Sequence, residues 1–469
     1  MDLRLFLPET VLCGAVGLFL CLALAKNVNA RTLNRLAGLF AAAAVAAAVY
    51  SWGTSGDFFY GTYRVDLLAQ TFKALIALGL LFTVCLSGDA LSIAPVRGPE
   101  YFVFVFSAAL GMVLIPSSVN LLTLYVSLEL SSYSLYLLTA LRQDRRNAES
   151  GVKYLLLGAA ASGVFLWGVS LVIGLAGTAS LAGIAEQASA LSAVPAFVAG
   201  TVFMLFAFLF KLSAFPLHFW VPDVYESAAT PVTTFIATAS KTAAVAVLVR
   251  VLPAVEVTPA LATMLGVFAF VSMTLGNTVA LVQKDLKRLL AYSSVAQAGY
   301  ILVGLLAGSP EGYSSALFYA AAYLLMNTGA FLVVVVVGKA LKRDNPQISD
   351  LSGLAERSPK LALLLLLSLL SLAGIPPLAG FTGKWILFTA AMEKGHWFLV
   401  LWAVLNSVVS LFYYLSVVRV AYLEKPNAPG PLVLSPGMKL LGLALLLSLV
   451  LLGVFPNAAI ELARRAVAG

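Results

Sequence analysis

Three lysines and one glutamate interrupt stretches that are otherwise almost wholly apolar. Lys211 lies in FLFKLSAF, Lys241 in ATASKTAAVAVLVR, Lys384 in GIPPLAGFTGKWILF and Glu129 in YVSLELSSYSLYLL. A charge at the centre of a membrane-spanning helix costs about 2.5–3.5 kcal/mol on insertion scales, so such residues are functional candidates by default. Amines and carboxylates exchange protons, and conduction needs only titratable groups spaced closely enough for water to bridge them. The row reads as an ion path, and a proton path in particular.

Each candidate also has a plainer reading. Glu129 and Lys211 lie at comparable depth; they form either a pair whose separation releases the lysine proton, or a static ion pair between two helices. Lys241 has no acidic residue in its own helix, and it lies too far from either end for its head to reach the lipid headgroups. Lys384 follows the break Gly374-Ile375-Pro376-Pro377, where freed carbonyls and water can solvate it, or else it marks a helix end. His218, about two turns past Lys211, is a possible relay near neutral pH or makes a structural hydrogen bond. Lys153 opens the sixth apolar stretch as a possible relay or an interfacial anchor. Lys73 lies only a few residues into the third, which predicts snorkelling. Asp223 and Glu226 fall in a polar loop, where they collect protons or cap the next helix.

These residues need a membrane scaffold. Of 469 residues 61% are hydrophobic and only 11% charged, and apolar runs of about 20 residues recur along the whole chain. The predicted fold is all-α and polytopic, with about fourteen transmembrane helices. They are placed near 5–25, 34–53, 69–88, 101–117, 119–141, 151–177, 197–225, 229–252, 258–282, 287–307, 313–340, 360–392, 395–422 and 434–457. The first is expected to be a retained helix and not a signal peptide, for it lacks a basic start and a cleavage site. Spans 7 and 12 are broken, at Pro216 and at Gly374–Pro377. They lie five spans apart, so spans 4–8 and 9–13 are expected to be inverted five-helix repeats, with the transport site at their interface. The corresponding division is 1–100, 101–252, 253–422 and 423–469.

Alternate loops and helix ends carry nineteen Lys and Arg, Lys26 and Arg97 among them, against six on the opposite set. By the positive-inside rule both termini face away from the cytoplasm. The net charge of +8 is an orientation signal and does not point to nucleic acid. Cys13, Cys21 and Cys85 lack metal spacing and are expected to be small buried hydrophobes. Two histidines argue against a haem or histidine-rich metal site. Nucleotide-binding loops and cysteine clusters are absent from the sequence, so redox chemistry is expected elsewhere.

FKLSAFPLHFWVPDVYESAATPVT, KDLKRLLAYSSVAQAGYILVG and GIPPLAGFTGKW resemble three signatures of the antiporter-like, proton-translocating family. That family is shared by respiratory complex I, membrane-bound hydrogenases and multi-subunit sodium/proton antiporters. The resemblance covers nearly the whole chain. LPE near the N-terminus, the YVSLELSSYSLYLL form of span 5, a chain ending after fourteen spans and Lys384 in place of a glutamate resemble the N-type branch of bacterial NADH:quinone oxidoreductase. The resemblance implies a coupled pair at Glu129 and Lys211, a central lysine at Lys241, a terminal lysine at Lys384 facing the outer half-channel, and a further lysine at Lys153. It implies a translocase subunit without cofactors of its own, in a bacterial inner membrane. NADH, FMN, iron–sulfur clusters and quinone would belong to partner subunits, and the membrane neighbours would be M-type and small K-, J- and A-type subunits. A sodium/proton antiporter or membrane-bound hydrogenase subunit is the alternative. At Gln297 many relatives carry histidine; glutamine can bond a water chain but cannot titrate.

Overall fold

Within lipid a backbone satisfies its polar groups only in helices or closed barrels, and this chain uses helices. The computed structural model describes residues 3–25, 29–88, 98–142, 145–426 and 430–468; Lys26 and Arg97 lie outside them. The chain opens with α1 (Leu7–Leu24) and α2 (Ala30–Tyr50). A hairpin of β1 (Gly56–Phe58) and β2 (Tyr63–Val65) leads to α3 (Leu67–Ser87). Next come α4 (Gly98–Leu114), α5 (Leu121–Thr139), α6 (Arg145–Ala176), α7 (Leu181–Leu191), α8 (Pro195–Leu212) and α9 (Val221–Ser227). They are followed by α10 (Thr230–Phe235), α11 (Lys241–Val255), α12 (Pro259–Ala280), α13 (Leu286–Leu305) and α14 (Pro310–Leu341). The remainder is α15 (Leu354–Arg357), α16 (Pro359–Ala373), α17 (Ala379–Glu393), α18 (Trp397–Leu423), α19 (Pro436–Val454) and α20 (Asn457–Ala468).

Local chemistry sets many of the boundaries. Asp66, Asn120, Thr258, Asp285, Ser309 and Ser435 cap the following helices by accepting from a backbone N–H. Proline enters at the first turn of α8, α12, α14, α16 and α19, where its missing N–H costs nothing. Among the described residues, twelve helical runs are long and apolar enough to cross a membrane, and α13 with the broken pair α16–α17 completes the fourteen expected. Nearly all of Thr230–Val255, which carries Lys241, and most of α14 are buried, so these elements form the centre of the bundle. By contrast α1, α2, α6, α18 and α19 present broad apolar faces outward.

Both breaks have the same form. Helix α8 ends at a left-handed Ser213 (φ 69°) and α16 at a left-handed Gly374 (φ 92°), each three residues before a proline, Pro216 or Pro377. The first break therefore starts upstream of the expected Pro216. A second correspondence lies in the loops. Asn120, which caps α5, bridges Ser180 in antiparallel fashion, while Asp285, which caps α13, bridges Gln347 in the same way. Spans 5 and 10 run in opposite directions, so one device appears at opposite ends of the bundle, as inverted repeats require.

Four features depart from the sequence reading. Helix α7 fills the interval between spans 6 and 7, where no element is expected. The run from Thr230 passes through a π-helical turn, Ile236–Ser240, directly before Lys241. The three cysteines are exposed on the outer surface of the bundle; an outward apolar face reads like a helix interface in hydropathy, which does not separate the two. Lys73 does not snorkel: it is 1% exposed and pairs with Glu9 at 2.7 Å.

Candidate functional site

The left-handed turn at Ser213 ends α8 just after Lys211, leaving this lysine 5% exposed and facing α5. Its Nζ donates to Ser131 Oγ at 2.5 Å and to Ser132 Oγ at 3.2 Å. Glu129, half-buried on the same helix, lines the same small cavity and accepts from the Ser162 hydroxyl of α6. No ion pair joins Glu129 to Lys211, contrary to the expected pairing. Serines on α5 and α6 solvate the two charges separately, which keeps them close without contact.

Lys241 follows the π turn and is 2% exposed. A π turn widens the helix locally and is common at functional positions. Here the lysine crosses to α13, where Nζ donates to Ser294 O at 2.9 Å and also to the Ser294 hydroxyl. That hydroxyl contacts Tyr225 Oη at 3.2 Å, and the ammonium lies 5.8 Å from the Tyr323 ring centroid.

Lys384, on the first turns of α17, reaches back across the second break. Its Nζ donates to Ala373 O at 3.0 Å, a carbonyl at the end of α16, and to Ser407 Oγ of α18 at 3.1 Å. The Tyr300 ring centroid lies 4.2 Å away. Glycine at 374 suits the positive φ of 92°, and a Cβ there would sit a tight 3.1 Å from the lysine Cδ. Lys384 is 4% exposed, which overturns the helix-end reading.

Between Lys241 and Lys384 runs a polar layer that hydropathy did not disclose. Ser293, next to Ser294, bonds Tyr414 Oη at 2.5 Å. Gln297, one turn on, accepts from Tyr319 Oη and donates to Leu372 O at 3.0 Å. Asn277 contacts Tyr300 Oη, Tyr413 Oη and Asn406 Oδ1 at 3.1 Å each. The available signal was the i, i+4 spacing of Tyr319 and Tyr323 on one helix face, with the serines and Gln297 opposite.

The other candidates lie elsewhere. His218 is buried, and its Nδ1 has no partner among the described residues, so a structural hydrogen bond from that nitrogen is not made. Its ring lies beside Phe215 and Phe219. Lys153 is exposed and pairs with Glu149 at 2.9 Å and Asp223 at 3.0 Å. Asp223 and Glu226 do not cap α10. They sit on α9, where Arg288 contacts both, at 3.4 and 2.8 Å, and Arg146 holds Glu226 at 2.5 Å. This cluster lies at the end where α13 starts. There burial also raises the Asp285 carboxyl pKa, against opposing hydrogen bonds from the Arg288 and Lys287 backbone N–H groups.

Residues 118–410 match the family model described as NADH:quinone oxidoreductase/Mrp antiporter, TM. A curated relative, NADH-quinone oxidoreductase subunit N 2 of Syntrophobacter fumaroxidans, is 46% identical over 469 residues, 99% of each chain. A chain of respiratory complex I from Thermus thermophilus superposes with a TM-score of 0.85 at 33% identity, covering 97% of this chain and 99% of that one. A chain of the Mrp complex from a Dietzia species shares the fold, with a TM-score of 0.88 at 21% identity over 100% of this chain and 97% of that one.

Proposed function

The chain belongs to the NADH:quinone oxidoreductase/Mrp antiporter membrane family, and from that premise we propose that it moves protons outward along Glu129, Lys211, Lys241 and Lys384. It is an antiporter-like, proton-translocating membrane subunit, subunit N, of NADH:quinone oxidoreductase. Quinone reduction in partner subunits drives it, and the NADH, FMN, iron–sulfur and quinone sites belong to those partners. Its neighbours are the M-type and small K-, J- and A-type membrane subunits. It resides in a bacterial inner membrane with both termini on the periplasmic side, and the cluster of Arg146, Arg288 and Glu226 faces the cytoplasm. The units 1–100, 101–252, 253–422 and 423–469 serve as flanking helices, two inverted half-channels and a closing helix.

The observation that carries this reading is the polar layer between Lys241 and Lys384. A proton released at Lys241 meets Ser294 first. The tyrosines, Gln297 and water then supply hydroxyl and amide oxygens toward Lys384. At the other end, a change in the Glu129 charge across the shared cavity alters the hold of Lys211 on its proton, with no need for direct contact.

The test is NADH-driven acidification of inverted membrane vesicles carrying Lys241→Ala or Lys211→Ala, with complex assembly checked in parallel. Loss of acidification in an assembled complex is expected. Full acidification by assembled Lys241→Ala sinks the proposal. Sodium-dependent transport with no quinone or NADH requirement would instead favour an exchanger.

A further inference from the structure

One buried charged cluster takes no part in the row just described. Glu9 on α1 and Lys73 on α3 are 0% and 1% exposed, and their side chains meet at 2.7 Å. Tyr63 on β2 closes the triangle: its hydroxyl donates to Glu9 Oε1 at 2.5 Å and accepts from Lys73 Nζ at 2.9 Å. Leu5, Phe58 and Val65 pack with the Tyr63 ring in an apolar cluster of their own. Both hydrogen bonds to the carboxylate fall on one oxygen. Glu9 Oε2 is buried with no partner among the described residues, and Ser117 Oγ is in the same condition.

That asymmetry distinguishes the cluster from a strut. A structural ion pair stabilises best when every lone pair is satisfied, and an unmet buried acceptor costs about 1–3 kcal/mol. A proton placed on Oε2 would leave both contacts at Oε1 intact. Hence the triangle can take up one more proton, at Oε2, without rearranging its existing contacts.

A physical connection runs from this triangle to Lys241. Arg250, nine residues beyond Lys241 on α11, grips both oxygens of Asp66 at 2.7 Å and donates to Pro116 O at 2.8 Å. Asp66 caps α3, which carries Lys73, and Pro116 precedes the unpartnered Ser117. Further along α3, Gly79 packs so closely that an added Cβ would lie 2.9 Å from Ala239 Cβ, inside the π turn before Lys241. Helix α3 thus touches the Lys241 segment at both ends.

We propose that Glu9, Lys73 and Tyr63 form a second proton-holding site of this subunit, coupled to Lys241 through Arg250 and α3. Glu9 Oε2 takes a proton from water at the end of the bundle where the chain begins. The carboxylate becomes a carboxylic acid, the proton donor becomes hydroxide or neutral water, and the cluster gains one positive charge. The other charged or titratable groups around it are Cys13 on α1, Arg64 on β2 and the Asp66–Arg250 pair. The inference rests on the proton-moving role proposed above.

The deciding experiment measures acidification per NADH oxidised, across pH, in vesicles holding the assembled complex. The variants are Glu9→Gln/Lys73→Met together, Tyr63→Phe, and Lys241→Ala as reference. The double variant removes both charges and keeps their approximate volumes. A strut replaced in this way is often neutral for stability, so acidification at the wild-type level overturns the proposal. The expected result is a fall of at least about twofold with electron transfer retained, a floor well below the 10²–10⁴-fold that a positioned acid–base group contributes to a proton-transfer step. Should the double variant not assemble, Tyr63→Phe decides: a displaced pH profile supports the site, and an unmoved one overturns it. Loss in Lys241→Ala beside a wild-type double variant removes only this inference. Retention in Lys241→Ala removes the wider reading.

Discussion

Gln297 offers the sharpest test of the polar layer, because two substitutions there should act in an order that side-chain size alone would not suggest. Its Oε1 accepts from Tyr319 Oη, and its Nε2 donates to Leu372 O at 3.0 Å with Tyr414 Oη at 3.5 Å. Leu372 immediately precedes Ala373, whose carbonyl accepts from Lys384. Gln297→Leu keeps roughly the same volume, admits no water and strands the Tyr319 hydroxyl and the Leu372 carbonyl. At about 1–3 kcal/mol for each buried unmet group, the sum is about 2–6 kcal/mol. If only the lower end enters the barrier, proton transfer slows by more than about tenfold, since 1.36 kcal/mol is one decade. Gln297→Ala instead opens a space flanked by three polar groups, Tyr319 Oη, Leu372 O and Tyr414 Oη, which is enough to hold a water. That water restores the bridge. NADH-driven acidification in assembled complexes should therefore rank wild type, then Ala, then Leu. A Leu variant equal to wild type, or an Ala variant slower than Leu, would refute a relay through this position.

Further consequences follow from other contacts. Asp66 is buried, which alone would raise its pKa, but the Arg250 hydrogen bonds and charge outweigh this and hold the carboxyl below its ordinary value. A lowered folded-state value means the pair's stabilisation is complete above the unfolded carboxylate range near pH 4 and is lost as pH falls through the folded value. Asp66→Asn should cost about 3–5 kcal/mol in thermal unfolding of the complex and remove that acid-side dependence; an unchanged acid profile would count against the pair. Gly380→Ala would drive a Cβ into Ser371 O, a backbone atom with little freedom to yield. It should displace α17 and Lys384 with it, at a cost on the order of 1–3 kcal/mol or more, seen as lost assembly or acidification. Lys153 is exposed, so Lys153→Ala should leave thermal stability unchanged; a drop in acidification with stability intact would mark it as an entry group rather than an anchor.

The fold was largely legible because most crossings carry their own hydropathy signal, and glycine and proline mark the second break at the residues where α16 ends. Lys211, Lys241 and Lys384 stood out for the same reason, as charges against an apolar background. What stayed hidden depended on direction around a helix. Lys73 lies near a span end, so sequence distance suggested snorkelling, yet its helix turns it inward to Glu9. The cysteines show the converse, since an apolar residue in an outward-facing stripe reads like one in a core. The π turn before Lys241 leaves no composition signal, because ATAS is compatible with an ordinary helix. That the hydroxyls of Tyr300, Tyr319 and Tyr414 face one layer likewise depends on side-chain direction.

The partners of the three lysines explain why such a row can conduct instead of simply binding charge. None of the three is held by a carboxylate: Lys211 has two serine hydroxyls, Lys241 a carbonyl and a hydroxyl, and Lys384 a carbonyl and a hydroxyl. An ammonium is a donor only, while a neutral amine also needs a donor for its lone pair. A carboxylate can serve the first state and not the second, so it would fix the lysine in its charged form. A serine hydroxyl rotates to accept from the ammonium or to donate to the amine, and each lysine here has at least one. Loss of the proton therefore need not leave a buried polar group unmet. The Arg288–Glu226 and Arg250–Asp66 pairs lack this freedom and fit fixed framework charges. Replacing Ser294 by alanine should accordingly impair the deprotonated state of Lys241 selectively. Its expected signature is slowed acidification that recovers when the membrane potential is collapsed, with assembly intact; equal rates under both conditions would argue that the hydroxyl has no part in switching.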